Sequence, residues 1–294
     1  MTEHDFPLSI RGRLFTADDL ARIRIIVDRM QSKNRTAISR EICAQLNWRQ
    51  PNGQLKDAAC RYVLLALHRN GLIILPPPKG PANRVRPTQP SPQTDPQFPI
   101  SQPVDQLSKI ELLLIDSKQL RRLFREYLDR YHYLRYSVIV GPQLRYLIRS
   151  SQGILGCLAF AAAAWSVKAR DQWIGWDQTT RKLNLHYIIN NVRFLILPWI
   201  KSKNLASHVL ALSAKQVPQD WNRLYGYRPL LFETFVEKKR FHGTIYKAAN
   251  WVYVGDTQGR GKNDRFNQYA LPIKAVYLYP LAKNTRRLLN KSST

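Results

Sequence analysis

Polar side chains interrupt two apolar runs that otherwise predict strands. They are His186, Asn190 and Asn191 in the first run, and Glu233 and Thr234 in the second. Buried polar groups need a hydrogen-bonding partner or a ligand, so these residues are predicted to converge on one pocket. A hydrogen-bond network that only pins the sheet explains them equally well, and both interpretations stay open.

Aromatic residues nearby would give such a pocket a surface on which an extruded base could stack. The candidate catalytic residues are His186, Asn190, Asn191, Glu233 and Tyr246. The candidate pocket residues are Trp176, Asn204, Thr234, Asn250, Trp251 and Thr257. This set favours modification of a base or nucleotide as one possible chemistry.

Strand cleavage or strand transfer would instead need clustered carboxylates that hold Mg²⁺. The candidates Asp171, Asp177, Glu233 and Glu237 are widely separated in the sequence. Glu233 has apolar neighbours, as catalytic carboxylates on strands often do, but a salt bridge to an arginine is an easy alternative. A nuclease that uses Mg²⁺ therefore stays an alternative.

Cysteine and histidine give no metal-binding pattern. Cys43, Cys60 and Cys157 are scattered in apolar segments without a CxxC pair, which predicts buried free thiols and no structural metal.

The turn "GDTQGRGK" at 255–262 contains glycines and basic residues but is not a phosphate-binding P-loop. That motif needs four residues between its glycines and Ser or Thr after the lysine, whereas five residues separate Gly255 from Gly261 and Asn263 follows Lys262. Arg260 and Lys262 are expected to contact a nucleic-acid phosphate instead.

Charge is the strongest overall signal. The chain has 46 Lys and Arg against 20 Asp and Glu, a formal net charge of +26. Such an excess favours polyanions through counterion release, so the expected partner is DNA, double-stranded in the first instance, with single strands as a further possibility. No apolar run is long enough to span a bilayer, and the N-terminus has no signal-peptide pattern. We expect a cytoplasmic protein without a membrane partner.

Proline divides the chain into three parts. Residues 76–106 hold ten of the 18 prolines, and proline disfavours both helices and central strands. The sequence predicts an N-terminal head at 1–75, an extended linker at 76–106 and a C-terminal body at 107–294.

Three amphipathic segments in the head predict three helices, starting near Thr16, at Thr36 and at Leu55, and "LIILP" after Gly71 predicts a short strand. This order fits a winged-helix-like, helix-turn-helix DNA-binding domain. The residues expected to reach DNA are Arg49, Gln50, Lys56 and Arg61. A helical bundle that docks a protein is the alternative.

The body predicts an α/β (α+β) domain with a mixed sheet. An amphipathic helix at about 117–131 precedes two strands that flank Ser151 and Gln152. Then come a strand over 182–198, a helix from about Asn204, a strand "LLFETFV", a short helix "GTIYKAA" and a strand "NWVYVG".

The segments "WIKSKNLASHVL" and "FHGTIYKAANWVYVGDTQGRG" resemble the second half of the Gcn5-related N-acetyltransferase fold. That resemblance implies a long central strand followed by a helix whose N-terminus binds the diphosphate of coenzyme A, and a later helix with a tyrosine, here Tyr246. Asn204 stands where the fold's key glycine belongs and would crowd the phosphates, so acyl-CoA is not the expected cofactor and Asn204 is expected to cap a helix. Lys201 and Lys203 are expected to bind nucleic acid.

Longer stretches are similar to the Druantia protein A family. They include "GPQLRYL", "RDQWIGW", "LHYIINNVRFLILPW", "LLFETFV" and "YKAANWVYVGDTQGRGK", together with "AISREICAQLNWRQPNGQLKDAACRYVLLALHRNGLIILPPP" in the head. The family is named for an anti-phage defence system, and relatives travel with transposable elements. The resemblance implies DNA-linked defence or mobile-element biology and other defence proteins as partners, but no established chemistry.

Overall fold

The computed structural model describes residues 8–10, 13–50, 53–78, 89–259 and 271–291. The chain divides into two compact units, Met1–Arg84 and Val85–Thr294. The first unit contains the predicted head and the second the predicted body, and these two names denote the units.

The head contains a short hairpin followed by three helices. Its elements are β1 (Leu8–Ile10), β2 (Arg13–Phe15), α1 (Ala17–Arg29), α2 (Arg35–Gln45) and α3 (Asp57–Arg69). Thr16 and Asp19 form a capping box at the start of α1, and the side chain of Asn34 caps α2, as residues of these types do at helix N-termini. The apolar faces of the helices bury one core around Ile23, Ile38 and Leu64. The three predicted helices are confirmed.

The strand predicted after α3 is wrong. Ile73 and Leu75 are buried while Ile74 is exposed, which is the alternation of a strand, but no strand pairs with this segment among the described residues. Side chains bind its backbone instead: Arg24 Nε donates to Leu72 O at 2.9 Å and Gln31 Nε2 to Ile74 O at 2.7 Å. The head's described hairpin precedes the helices, so the winged-helix assignment stays a prediction.

The second half of the proline-rich segment packs on the body. The buried carboxylate of Glu126 accepts hydrogen bonds from Ser91 N at 2.8 Å, Ser91 Oγ at 2.6 Å and Thr94 Oγ1 at 3.1 Å. Burial by itself raises the pKa of Glu126, but these bonds and one from Arg122 together outweigh it, and the pKa is lowered. Ile100 continues the attachment by pairing with Ile200. Residues from about 91 onward therefore belong structurally to the body.

The body alternates strands and helices in a mixed order. Its elements are β3 (Glu111–Leu114), α4 (Lys118–Tyr131), β4 (Gln143–Ser150), β5 (Gly153–Ala162), α5 (Lys168–Ile174), α6 (Gln178–Asn184), β6 (Ile188–Ile196), α7 (Leu205–Tyr225), β7 (Leu231–Glu237), α8 (Thr244–Ala248), β8 (Val252–Asp256), β9 (Lys274–Pro280) and α9 (Thr285–Leu289). Among the described helices, none combines the length and the apolar character needed to cross a bilayer.

The seven body strands form one sheet in the order β3-β4-β5-β6-β7-β9-β8. All neighbours are antiparallel except β6 and β7, which run parallel. The predicted mixed α+β body is confirmed. Both features that the acetyltransferase resemblance implies are present, since β6 leads into the 21-residue helix α7 and α8 carries Tyr246 just before β8.

Short elements differ from the sequence prediction. Residues 182–187, predicted as the start of a strand, complete α6 and a 3-10 turn, and β6 begins only at Ile188. Helix α5 was also not predicted, and neither were β3, β9 and α9. Seven-residue helices such as α5 and α6 have two turns, too few to reveal a helical period in the sequence.

A gap opens between β6 and β7 because they pair over only three positions. Ile188, Ile189 and Asn190 pair with Leu231, Phe232 and Glu233. Just beyond this pairing, the register of β6 against β5 shifts at Val192, since Ala159 pairs with Arg193 and Phe160 with Asn191. A bulge of this kind bends a strand away from its neighbour. The two parallel strands therefore separate and leave a cleft between them.

Candidate functional site

The cleft between β6 and β7 has a volume of about 460 Å³. Its walls come from four segments: residues 131–134 after α4, residues 191–196 of β6, residues 234–236 of β7, and residues 241–246 at the start of α8. Openings between diverging strands of a sheet are common ligand sites, so this is the principal candidate site of the described body.

Three of the candidate residues meet on one side of the cleft. Tyr246 Oη donates to Asn191 Oδ1 at 2.9 Å, and Thr234 Oγ1 donates to Asn191 O at 3.1 Å and lies 3.4 Å from Tyr246 Oη. Asn191 Nδ2 in turn donates to Ala159 O at 3.1 Å. Burial raises the pKa of Tyr246 to about 12, so its hydroxyl is a proton-bearing hydrogen-bond donor at neutral pH.

His132 and Arg193 line the cleft together with this network. The Nδ1 atom of His132 accepts a hydrogen bond from Leu134 N at 3.1 Å, which assigns the ring proton to Nε2. Burial, and then the charge of Arg193, lower the pKa of His132 to about 4, so the imidazole is neutral at pH 7.

Arg193 carries the positive charge of the cleft. Its guanidinium donates to Val192 O at 2.7 Å and Ser137 Oγ at 2.7 Å, and burial lowers its pKa, although a guanidinium stays charged at neutral pH. No carboxylate is among the described residues that line the cleft. The site therefore offers hydrogen-bond donors, a neutral imidazole and one positive charge, which suits a polar or anionic ligand.

Glu233, Asn190 and Trp176 lie on the opposite face of the sheet. Successive residues of a strand point to opposite faces, so Asn190 is separated from Asn191 and Glu233 from Thr234. Trp176 belongs to the core on that second face, with Ile188, Leu231 and Leu278. The predicted convergence of all these residues on one pocket is not what the structure shows.

Glu233 is bound by a buried arginine. Its Oε2 accepts from Arg170 Nη1 at 2.8 Å, both side chains have no exposed surface, and its Oε1 accepts from Ala164 N at 2.8 Å. Asp171 also binds Arg170, at 2.8 Å. The salt bridge is thus the alternative that the structure supports for Glu233. The described residues contain no cluster of three or more His, Cys, Asp or Glu side chains arranged to hold a metal ion.

Other candidates surround the cleft or lie apart from it. Trp251 packs edge-on against Tyr246, with ring centroids 5.1 Å apart. The exposed His186 contacts the rings of Tyr187 and Tyr227 rather than the cleft. Asn250 adopts a left-handed conformation between α8 and β8, and Thr257 exchanges hydrogen bonds with Lys274 at the end of β8.

The loop before α7 is already hydrogen-bonded. Lys201 N donates to Ile100 O at 2.8 Å, and Lys203 O accepts from Val104 N at 3.3 Å; the side chains of both lysines are exposed. Asn204 precedes α7 as expected, but at φ 64° its side chain makes no capping bond. A diphosphate needs free backbone N–H groups and a close approach that a side chain hinders. In this loop the N–H of Lys201 is occupied, and the side chain of Asn204 stands where a close approach favours glycine.

The candidate DNA-binding residues of the head differ in exposure and in the bonds that they make within the head. Lys56 is exposed, whereas Arg61 is half-buried and binds Asp57 at 2.6 Å. Arg49 Nη1 donates to Gly53 O at 2.9 Å, and Gln50 N donates to Gln54 O at 2.7 Å. Both bonds shape the long connection between α2 and α3. Arg260 and Lys262 lie outside the described residues.

His132 and Arg193 were not predicted from the sequence. His132 is one of several scattered histidines, and Arg193 lies in an apolar strand without a motif around it. The bulge in β6 and the end of α4 bring them together. No local sequence pattern predicts either the bulge in β6 or the position of the end of α4 beside it.

A known family matches most of the chain. The model of the family described as "Druantia protein DruA" matches residues 68–273. No curated protein matches the chain.

Solved structures give weak likenesses to acetyltransferases. An N-acetyltransferase from Staphylococcus aureus is 11% identical, with 60% of this chain and 100% of that chain covered and a TM-score of 0.38. A GNAT-family acetyltransferase from Bacillus cereus is 9% identical, covering 59% and 98%, at 0.36. A putative acetyltransferase from Salmonella typhimurium, solved with acetyl-CoA, is 10% identical at 0.31, and this chain spans 66% of its length. Likenesses this weak show neither substrate nor activity.

Proposed function

The chain belongs to the Druantia protein DruA family, and from this premise we propose that it is a DNA-binding component of a Druantia-type anti-phage defence system. The observation that carries the DNA-binding part is the net charge of +26. Defence follows from the family's name. Other proteins of such a system are its expected partners.

The distribution of charge supports this proposal. Most of the described lysines and arginines lie outside the salt bridges that the described residues form. Lys118 and Arg121 are exposed on α4, and Arg286 and Arg287 are exposed on α9. Charges of one sign that are not neutralised within the protein raise the local concentration of a polyanion and release its counterions on binding.

Binding of the full chain to labelled duplex and single-stranded oligonucleotides tests the proposal. Fluorescence anisotropy at several salt concentrations should show an affinity that falls linearly on a log–log plot. In the head, Lys56→Glu should weaken duplex binding more than Arg22→Glu, a matched reversal at an exposed position of α1. Absence of binding at low salt would overturn the proposal, and equal effects of the two variants would remove the assignment of Lys56.

A second candidate function is chemistry on a ligand in the cleft, including modification of a nucleotide. The observation that favours it is the buried hydrogen-bonded set of Tyr246, Asn191 and Thr234 in the same cleft as a neutral His132 and a charged Arg193. Tyr246 would turn its single hydroxyl proton from Asn191 Oδ1 toward a developing negative charge, and Arg193 would hold an anionic group.

Phage-plaquing assays on matched tyrosine variants distinguish the two functions. Tyr246→Phe removes the hydroxyl in the cleft, and Tyr146→Phe removes a buried hydroxyl that binds Asp220 at 2.9 Å elsewhere in the body. Loss of protection in the first variant only, at equal protein levels, would support chemistry in the cleft. Full protection by Tyr246→Phe would show that its hydroxyl is dispensable and would reject this second candidate.

A further inference from the structure

Trp165 is a large aromatic side chain that the body leaves exposed. It follows β5 in the loop at 163–167, and 60% of its surface is accessible to solvent. The guanidinium of Arg181 lies 5.8 Å from the centre of its ring. Burial of an indole would stabilise the fold, and Trp165 does not contribute this stabilisation. An exposed indole is therefore a candidate for contact with a ligand.

Hydrogen bonds to neighbouring side chains fix the backbone of the loop that carries Trp165. Ala164 N donates to Glu233 Oε1 at 2.8 Å, and Ala164 O accepts from Arg170 Nη1 at 2.8 Å. On the other side, Val167 N donates to Asp171 Oδ2 at 3.2 Å. The buried ion pair of Arg170 and Glu233 therefore fixes the backbone immediately next to Trp165, and the indole is presented on a rigid support.

Exposed basic side chains lie on the helix that follows this loop and on two helices joined to it. Lys168 on α5, Lys182 on α6 and Arg287 on α9 are exposed. Hydrogen bonds join the three helices: Asn184 Nδ2 donates to Leu289 O and Lys291 O, both at 2.9 Å, and Asn290 Nδ2 donates to Ile174 O at 2.9 Å.

Two acidic side chains, Asp171 and Asp177, stand on or beside these helices against the exposed Lys168, Lys182, Arg286 and Arg287. Asp171 binds Arg170 and Arg181, and Asp177 caps α6. The loop and the three joined helices form a basic region with an exposed aromatic ring, called here the Trp165 face and made of residues 165–183 and 283–291.

We propose that the Trp165 face binds single-stranded nucleic acid, with an unpaired base stacked on Trp165 and phosphates held by Lys168, Lys182 and Arg287. The proposal rests on the proposed function of DNA binding. It assigns that binding to the Trp165 face and names single strands as the preferred form of nucleic acid. Single strands combine accessible aromatic faces with regularly spaced negative charges, and proteins bind them through aromatic platforms in basic grooves. In a duplex the bases are already stacked on each other, so Trp165 would find no free partner.

Equilibrium binding of the full chain to oligo(dT) and to an abasic strand of the same length tests this proposal. Both probes carry the same phosphates, but only the first has bases. Trp165→Ala should lower the affinity for oligo(dT) about tenfold, within the range for loss of one stacked base, and should change the affinity for the abasic strand less than about twofold. Trp165→Phe keeps a ring and should retain most of the affinity. Phe98→Ala, at another exposed aromatic position, should have no effect.

The outcomes separate this proposal from the proposed function. If the wild-type chain binds a duplex but neither single strand, this inference fails while the proposed DNA binding stands; if it binds neither the duplex nor the single strands, the proposed function itself fails. If it binds oligo(dT) and Trp165→Ala binds equally well, the Trp165 face is not a stacking site, and a protein partner is then the occupant to seek. If the variant loses both probes equally while its melting temperature is unchanged, Trp165 contributes no contact with bases. Either result with Trp165→Ala overturns the inference.

Discussion

Glu233 supports the sheet and the Trp165 loop through its contacts with Arg170 and Ala164. We predict that Glu233→Gln lowers the free energy of unfolding by about 3 kcal/mol, because removal of one partner leaves a buried charge poorly compensated. Urea denaturation measures the change. The matched control is Glu237→Gln, which breaks a more exposed pair with Arg240 and should cost less than about 1 kcal/mol. Unchanged stability with loss of phage protection would instead indicate a catalytic carboxylate.

His132 makes the stability of the body depend on pH. Its pKa is about 4 when folded, through burial and the charge of Arg193, against about 6.5 when unfolded. The unfolded chain therefore binds the extra proton between these values, and stability is lost as the pH falls from about 6.5 to about 4.

We predict that this histidine accounts for a loss of about 2 kcal/mol between pH 7 and pH 5. Urea denaturation of the wild type and of His132→Gln at both pH values measures it, since the variant should lose that share of the dependence. His208→Gln, which removes an exposed imidazole on α7, is the control. An identical dependence on pH in wild type and His132→Gln would contradict the prediction.

Part of the candidate site follows from strand geometry. Asn191, Thr234 and Tyr246 meet as the pocket hypothesis requires, because polar positions at the centre of neighbouring strands face one another. The period of two also shows why the larger set could not meet: Asn190 and Asn191, like Glu233 and Thr234, are adjacent and must point to opposite faces. The parallel register of β6 and β7 and the bulge at Val192 are long-range features that no local pattern specifies.

At the scale of helices and strands, the length of an element determines whether its sequence pattern predicts it. Helices α1, α4 and α7 were predicted from periodicity and capping residues, and β4 and β5 from the turn that joins them. Helices α5, α6 and α9 have five to seven residues each. Helices this short are stabilised by packing against the rest of the body rather than by their own helix propensity. The Trp165 face consists largely of these short elements, which is why it was not predicted.

Helix α7 begins with an unusual conformation at Asn204. Its φ of 64° lies in the left-handed region, which a residue with a Cβ adopts at a cost that asparagine tolerates better than most. We predict that Asn204→Ala lowers stability by about 1 kcal/mol and that Asn204→Gly leaves it equal or higher. Thermal denaturation of this pair of variants checks it. An equal loss in both would mean that the amide side chain, rather than the backbone, stabilises this position.

Across the whole molecule, the question is whether the charge of +26 acts diffusely or through particular faces. Each phosphate contact that is lost should reduce the slope of log affinity against log salt by about 0.7 for single strands. The double variant Lys182→Gln, Arg287→Gln changes the Trp165 face, whereas Lys118→Gln, Arg121→Gln removes the same charge from α4. All four side chains are exposed.

We predict that the Trp165-face variant reduces the salt slope for oligo(dT) by about 1.4, the loss of two contacts, and that the α4 variant leaves the slope within about 0.3 of the wild type. Titrations at four or more salt concentrations measure both slopes under the same conditions. Equal reductions would show that the charge acts as a diffuse field without a preferred face, because long-range attraction depends on the total charge. A larger reduction from the α4 variant would move the binding surface for single strands to that helix.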